Sequence, residues 1–388
     1  MDTIRLIITG DFCAIHPERL SLGDRLTQLL DDSDLKCVNF EGPLQIGKVE
    51  SANGTFLLKS HKSPKWLVDH GFNIVSLANN HACDFGESGL YASNDAFEGV
   101  VTLGCGNGWD EAYRVRYVDV KGKKIGFFNA TSADFSSLKD QWTDSEKFGC
   151  AWINHPSVPL LLYKAKQECD YLIVFPHAGV EYMDVPLPEW RAIYRNFIDC
   201  GADAVIASHP HVPQGWEIYK EKPIYYSLGN FVFEKDPPYK KPNWYNGLIV
   251  ELILFGEKIK ATHYNTLYAD NKVEIDTIQE RIDYINSLGA YLRDDMVYMN
   301  RVNEVISGIA NKYEQWMLSG LGAICLIPFN LRVFLSQLIY FARNRKADGI
   351  FLHQLREEST RWTIIRKHLG NYIQSYSLKP LKSYKFSN

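Results

Sequence analysis

The sequence predicts a layered, mixed α/β domain followed by a helical C-terminal region. Three observations carry this expectation. From residue 4 to about residue 265, short apolar runs alternate with longer amphipathic stretches, as strands interleaved with helices do. Two neighbouring runs, Val115–Val120 and Lys124–Ala130, are separated only by Lys121-Gly122-Lys123 and read as a hairpin, so the sheets are mixed rather than purely parallel. After about residue 270 the spacing of apolar residues becomes helical.

Taken in chain order, the expected strands are Ile4–Thr9, Lys36–Phe40, Ile74–Ala78, the two hairpin arms, Tyr171–Pro176, Ala204–Ser208, Pro223–Ser227 and Leu248–Phe255. Each is a short run rich in Val, Ile, Phe or Tyr that stops at Gly, Asn, Asp or Pro. Expected helices lie between them at Ser21–Ser33, Pro64–His70, Glu87–Glu98, Pro156–Glu168 and Leu187–Cys200. Beyond them, Asp276–Leu288 and Tyr291–Ser319 carry apolar residues three and four apart. The expected division is the α/β domain over 1–268 and a helical region over 269–388. Within the latter, 320–341 is nearly free of charge but is interrupted by Pro328, Asn330 and Arg332 and followed by Arg343-Asn344-Arg345-Lys346. A membrane span needs about 20 uninterrupted apolar residues. Ordinary helical packing is therefore expected, with a membrane-surface or protein contact through residues 316–346 as the alternative.

Composition narrows the class. At 46% hydrophobic and 23% charged residues the 388-residue chain is that of a globular protein rather than a disordered one. A formal net charge of -4 and the lack of a basic stripe argue against a nucleic-acid partner. Cysteines at 13, 37, 83, 105, 150, 169, 200 and 325 form no C-x-x-C pair, which suits reduced thiols better than a disulfide framework or a zinc ribbon. The first residues run straight into a strand without an export signal, so a cytoplasmic location is expected, with membrane association as the alternative.

The chemistry lies in the polar residues that follow the strands. Gly10-Asp11 follows the first and Asn39-Phe40-Glu41 closes the second. Asn79-Asn80-His81, with Asp84 nearby, follows the third. His177 with Glu181 follows Tyr171–Pro176, His209-Pro210-His211 follows Ala204–Ser208, and Gly229-Asn230 follows Tyr225–Leu228. Loops at the carboxyl ends of strands gather into one crevice in layered α/β domains. Singly, an Asp there is more often a helix or turn cap than a ligand, and Asn-Asn-His can simply satisfy a turn. His-x-His is stronger, because alternate residues of an extended segment face the same side. Together, three His with an Asp, a Glu and an Asn exceed what turn chemistry needs. Imidazole, carboxylate and amide oxygen suit divalent Mn, Fe, Zn or Mg. The set also fits two ions about 4 Å apart sharing one carboxylate, with one histidine kept off the metals to protonate a leaving oxygen.

These residues, in this order, resemble the CapA/PgsA-type capsule (poly-gamma-glutamate) biosynthesis proteins of the calcineurin-like metallophosphoesterase superfamily. The resemblance rests on GDF at 10–12, NFEGPL at 39–44, LANNHACDFG at 77–86, GCGNGWDEA at 104–112, HAGVEY at 177–182, SHPHVPQGWEIY at 208–219 and YSLGNFVF at 226–233. It implies a four-layer α-β-β-α sandwich with two divalent metals. By that resemblance Asp11 and His211 serve the first metal, while Asn80, His177 and His209 serve the second. Glu41 stands in the bridging position and His81 is the proton donor. Asn39, Asp84, Glu181 and Asn230 match motif positions expected to support the ligands or touch substrate.

Two departures stand out. Where the superfamily has Asp-x-His, this chain has Asp11-Phe12-Cys13, so Cys13 either replaces the histidine as a soft ligand or is buried and inert. The bridging Asp is the longer Glu41. His16 is expected at the surface. The resemblance implies a metal-dependent hydrolase of a phosphorylated or polymeric small-molecule substrate. The alternatives are a non-catalytic accessory protein of a polymer-synthesis complex and an amide hydrolase for gamma-glutamyl links. Neither G-x-S-x-G nor G-K-[ST] occurs, which argues against a serine hydrolase and a P-loop.

Overall fold

The computed structural model describes residues 3–50, 56–133, 136–138, 147–234, 241–320 and 357–373. Among these, nine strands form one sheet and six a second. In the first, Ile4–Cys13 is central. It runs parallel to Leu35–Phe40, which continues through Ile74–Ser76 to Val101–Leu103. On its other side Ile4–Cys13 pairs antiparallel with Asn246–Phe255, followed outward by Lys258–Ala269, Lys272–Ile275 and Ser21–Leu22. The second sheet runs in the order Trp216–Tyr219, Lys222–Tyr225, Ala204–Ile206, Tyr171–His177, Lys123–Thr131, Arg116–Val120. Parallel and antiparallel pairs occur in both, as expected.

Side-chain alternation explains why the two sheets stack. Ile4, Leu6 and Ile8 of the first sheet meet Ile125, Phe127, Tyr171 and Ile173 of the second in one core. The intervening residues face outward. Ile7 and Val38 pack with Leu26, Leu30 and Leu67 of helices Asp24–Asp31 and Ser63–Asp69. Phe128, Leu172 and Val174 pack with Leu162, Trp190 and Tyr194 of helices Val158–Lys166 and Pro188–Asp199. A period of two on both sheets thus generates helix, sheet, sheet, helix. The fold is the expected mixed α/β sandwich.

The expected hairpin is present as Arg116–Val120 and Lys123–Thr131. Its turn places Lys121 and Gly122 at φ 50° and 75°, the pair of positive values a two-residue hairpin turn requires. Elsewhere, boundaries depart from expectation where a distant partner intervenes. The first strand continues past Thr9 to Cys13, because Asn230–Phe233 pairs in parallel with its second half, opposite Asp11 to Cys13. Ser21 and Leu22 belong to an edge strand rather than to the helix, through pairing with Lys272 and Val273.

Lys272–Ile275 carries the first sheet past the expected boundary at 268/269. The helices that follow, Gln279–Tyr291 and Asp295–Gly320, pack on the same cores: Ile285 and Leu288 join the inter-sheet cluster, and Tyr298, Val302 and Ile306 the outer one. Glu358–Ile373 forms a last helix. Residues 321–346 lie outside the described residues, and with them most of the expected 316–346 contact segment. No helix among the described residues is long and apolar enough to cross a membrane.

Candidate metal centre

Asp11, Glu41 and His177 converge. Each offers a ligand atom within 4.8 Å of the others, and all three are buried. Asp11 reaches this point from inside the central strand, whose backbone passes unusually close to residue 229. Asp11 N donates to Gly229 O at 3.1 Å, and a Cβ on Gly10 would stand 1.9 Å from that same oxygen. Only glycine permits this approach. Glu41 follows Phe40 directly, and His177 is the last residue of Tyr171–His177.

Asn39 ties the carboxylates together, its Nδ2 donating to Asp11 Oδ1 at 2.7 Å and to Glu41 Oε2 at 2.8 Å. His177 Nε2 faces Glu41 Oε2 at 3.3 Å and Asn80 Oδ1 at 3.0 Å. The His209 ring lies 4.9 Å from that of His177, centroid to centroid. On the other side, His211 Nδ1 lies 3.4 Å from Asp11 Oδ2 and 3.0 Å from Asn230 Oδ1. Asn230 is itself fixed by donating to Trp244 O at 2.9 Å. Asn39 thus links Asp11 and Glu41 at the centre, with Asn80, His177 and His209 gathered on one side and His211 on the other.

The geometric reason expected for His-Pro-His does not hold. His209 and His211 have φ of 106° and 60°, so the segment is not extended. Their ring centroids are 6.2 Å apart, His209 lying against His177 and His211 against Asp11. Non-glycine residues in this region store backbone strain, which accumulates at functional sites.

Three buried polar atoms at this point lack a hydrogen-bond partner: Asn39 Oδ1, Glu41 Oε1 and His209 Nδ1. Leaving such a group unpaired costs about 1–3 kcal/mol. A divalent cation would relieve that cost, and the mix of carboxylate, imidazole and amide oxygen suits one. The residues present fit the group. Burial works to raise the pKa of Glu41, but His177 together with His211 and His81 outweighs it and the net shift is downward. Burial, helped by the nearby His177, lowers His209 to about 4, keeping its ring neutral as a ligand must be. Burial also opposes charge on His211, yet the hydrogen-bonded Asp11 carboxylate prevails and raises its pKa.

His81 sits beside this group. Its Nδ1 is 2.9 Å from Asp84 Oδ2, and Asp84 also accepts from Leu57 N at 2.9 Å. Glu181 is near enough to His211, His209 and His81 that their charges overcome burial and lower its pKa. Cys13 is not among the converging ligands. Its thiol packs with Phe233 and Trp244, lies 3.7 Å from Leu58 O, and is pushed by burial up to about 12. Of the two placements open to it, this is the buried one. His16, half-exposed, faces Glu18 at 3.6 Å.

Two supporting residues escaped the sequence reading. Asn79 Oδ1 accepts from Gly42 N at 3.0 Å and His81 N at 3.2 Å, locking the Glu41 turn to the His81 loop. Lys59 is buried, donates to Gly42 O at 2.9 Å and lies 3.2 Å over the Phe40 ring. Burial lowers its pKa to about 8, partly offset by Cys13 and Glu41. Asn79 looked like turn chemistry, and Lys59 stands in no motif.

Comparison with known proteins gives the site a context. Residues 21–235, more than half of the chain, match the family described as bacterial capsule synthesis protein PGA_cap. The chain is 30% identical over 219 residues to the capsule biosynthesis protein CapA of Bacillus anthracis, covering 53% of this chain and 52% of that one. It is 32% identical over 215 residues to the PGA biosynthesis protein CapA of Bacillus subtilis (strain 168), covering 52% and 54%. The chain thus spans about half the length of the curated relatives it matches. Among solved structures, a 5'-nucleotidase from Candida albicans SC5314 aligns with TM-score 0.41 and 10% identity over 79% of this chain and 58% of that one.

Proposed function

The chain belongs to the bacterial capsule synthesis protein PGA_cap family, and from that premise we propose that it is a metal-dependent hydrolase of phosphoester bonds in a polymer or its precursor. One observation carries the reading. Buried carboxylate and imidazole ligand atoms converge within 4.8 Å while Glu41 Oε1 beside them has no protein partner.

Glu41, Asn80, His177 and His209 would hold one divalent ion, and Asp11 with His211 the other, Glu41 lying between. Bound there, such ions supply positive charge to a phosphoryl oxygen and acidify the attacking water. The remaining work falls to the chain itself. Asn39 holds Asp11 and Glu41 in register by donating to both. Asp84 fixes the His81 ring through Nδ1 and so orients it to pass a proton to the leaving oxygen. Glu181, under the influence of His211, His209 and His81, would be the residue to meet substrate.

The test is elemental analysis of the purified full chain together with turnover of generic aryl phosphate mono- and diesters in added Mn2+. Retained metal with turnover supports the reading. Neither metal nor turnover overturns it in favour of an accessory role in polymer synthesis. That second reading draws on one specific observation: Cys13, in the place of a histidine ligand, faces an apolar cluster and leaves the Asp11–His211 half-site short of a donor.

A further inference from the structure

Beside the candidate metal centre, Cys105–Asn107 and Phe148–Cys150 form a two-stranded antiparallel ribbon. In it Cys105 lies directly opposite Cys150, and their Sγ atoms are 2.7 Å apart. That is well inside ordinary contact between two thiols. The backbone explains the approach. Ala151 N donates to Gly104 O at 2.9 Å, so the adjoining pair is hydrogen-bonded and, by the alternation of an antiparallel ladder, Cys105 and Cys150 occupy a non-hydrogen-bonded pair. At such pairs Cα atoms approach to about 4.5 Å, within the roughly 4.4–6.8 Å that a disulfide spans. Cys150 N and O are engaged on the far side, with Ser136 O at 2.8 Å and Leu138 N at 3.2 Å, which holds the register.

We propose that Cys105 and Cys150 are a disulfide-forming site that staples the ribbon beneath the loop carrying Asn80 and His81. Cys150 packs against Ala78 and Ala82, which flank those two residues, and its Sγ is 3.9 Å from Leu77 O. A bond here fixes the floor of the candidate site without touching a ligand.

The oxidant is a low-molecular-weight disulfide such as oxidised glutathione. Cys105 is the partly exposed member and Cys150 the buried one. The Cys105 thiol loses its proton and attacks one oxidant sulfur, breaking that S–S bond and releasing the first glutathione thiolate. Cys150, losing its own proton, then attacks the Cys105 sulfur of the mixed disulfide and expels the second. Two protein thiols are oxidised, one glutathione disulfide is reduced, and the two released thiolates take up the two protons. Burial raises both thiol pKa values, so exchange is slow near neutral pH.

The experiment uses the full chain. It is incubated with oxidised glutathione, alkylated under denaturing, non-reducing conditions, digested and mapped by mass spectrometry. The expected product is one peptide pair linked through Cys105 and Cys150 with Cys83 alkylated, and a melting temperature roughly 5 °C above that of the dithiothreitol-treated protein. Cys83→Ser leaves the linkage yield unchanged. Alkylation of both Cys105 and Cys150, glutathione retained on Cys105, or a bridge through Cys83 would overturn the site. A bridge without a rise in melting temperature would overturn the stapling.

Discussion

Glu358, near the end of the chain, accepts a hydrogen bond from Trp152 Nε1 at 2.7 Å, across 206 residues. The same carboxylate accepts from Asn154 Nδ2 at 3.0 Å and Ala133 N at 2.9 Å, and it is 1% exposed. The next residue, Ser359, accepts from Trp190 Nε1 at 3.1 Å and donates to Gly179 O in the loop after His177. The last described helix is thus anchored to the sheet layer that carries the candidate site. Glu358→Ala is expected to cost roughly 3 kcal/mol, because two buried donors and the half-buried Asn154 amide lose their acceptor at once, and Glu358→Gln less. Urea unfolding of the full chain measures both.

His81→Ala is expected to retain metal and lose turnover by about 10²–10⁴-fold, the usual worth of a positioned acid. Asp11→Asn and His177→Ala are expected to lower bound metal. Elemental analysis and aryl phosphate kinetics on the three variants separate the roles. Wild-type turnover in His81→Ala would remove that residue from the chemistry.

Cys13→Ala is expected to leave metal content unchanged and to cost only about 1 kcal/mol of packing, since the thiol faces Phe233 and Trp244 rather than the ligands. A fall in metal stoichiometry would make Cys13 a ligand after all.

Gly10→Ala is expected to destabilise by roughly 2–3 kcal/mol and to lower metal affinity, because the new Cβ meets Gly229 O and pushes Asp11 out of place. Thermal unfolding and metal titration read the two effects separately.

Acid stability is expected to depend on Glu217. Burial works to raise its pKa, but Arg195, Arg191 and Tyr226 hydrogen bonds hold it down at about 2. An unfolded glutamate titrates near roughly 4.3. A folded pKa below the unfolded one contributes stability that is fully present above about pH 4.3 and is lost as pH falls towards the folded value. Glu217→Gln should therefore cost roughly 2–3 kcal/mol at neutral pH and progressively less on acidification. Urea midpoints of both proteins from pH 7 to pH 3 test the sign.

Much of the fold was legible because strand punctuation is local. Gly10, Asn39, Asn79 and Gly229 each mark a place where an apolar run stops and a polar side chain turns into the crevice. The ligand-type residues were legible for the same reason. Lys258–Ala269 was not, since its residues are mostly half-exposed and only pairing with Asn246–Phe255 makes them a strand. The burial of Cys13, the buried charge of Lys59 and the facing thiols of Cys105 and Cys150 depend on neighbours far away in the chain.

Read along the chain, local hydrophobicity and turn residues already set two carboxylates, an amide and histidines just past apolar runs. How those side chains meet was fixed by contacts between segments far apart in the chain. Positive-φ backbone at His209 and His211, the parallel pairing of Asn230–Phe233 with the first strand, and the docking of Glu358 all arise from contacts between distant segments. Such contacts leave no periodicity to read, because each is fixed by packing between whole layers and not by the residues on either side.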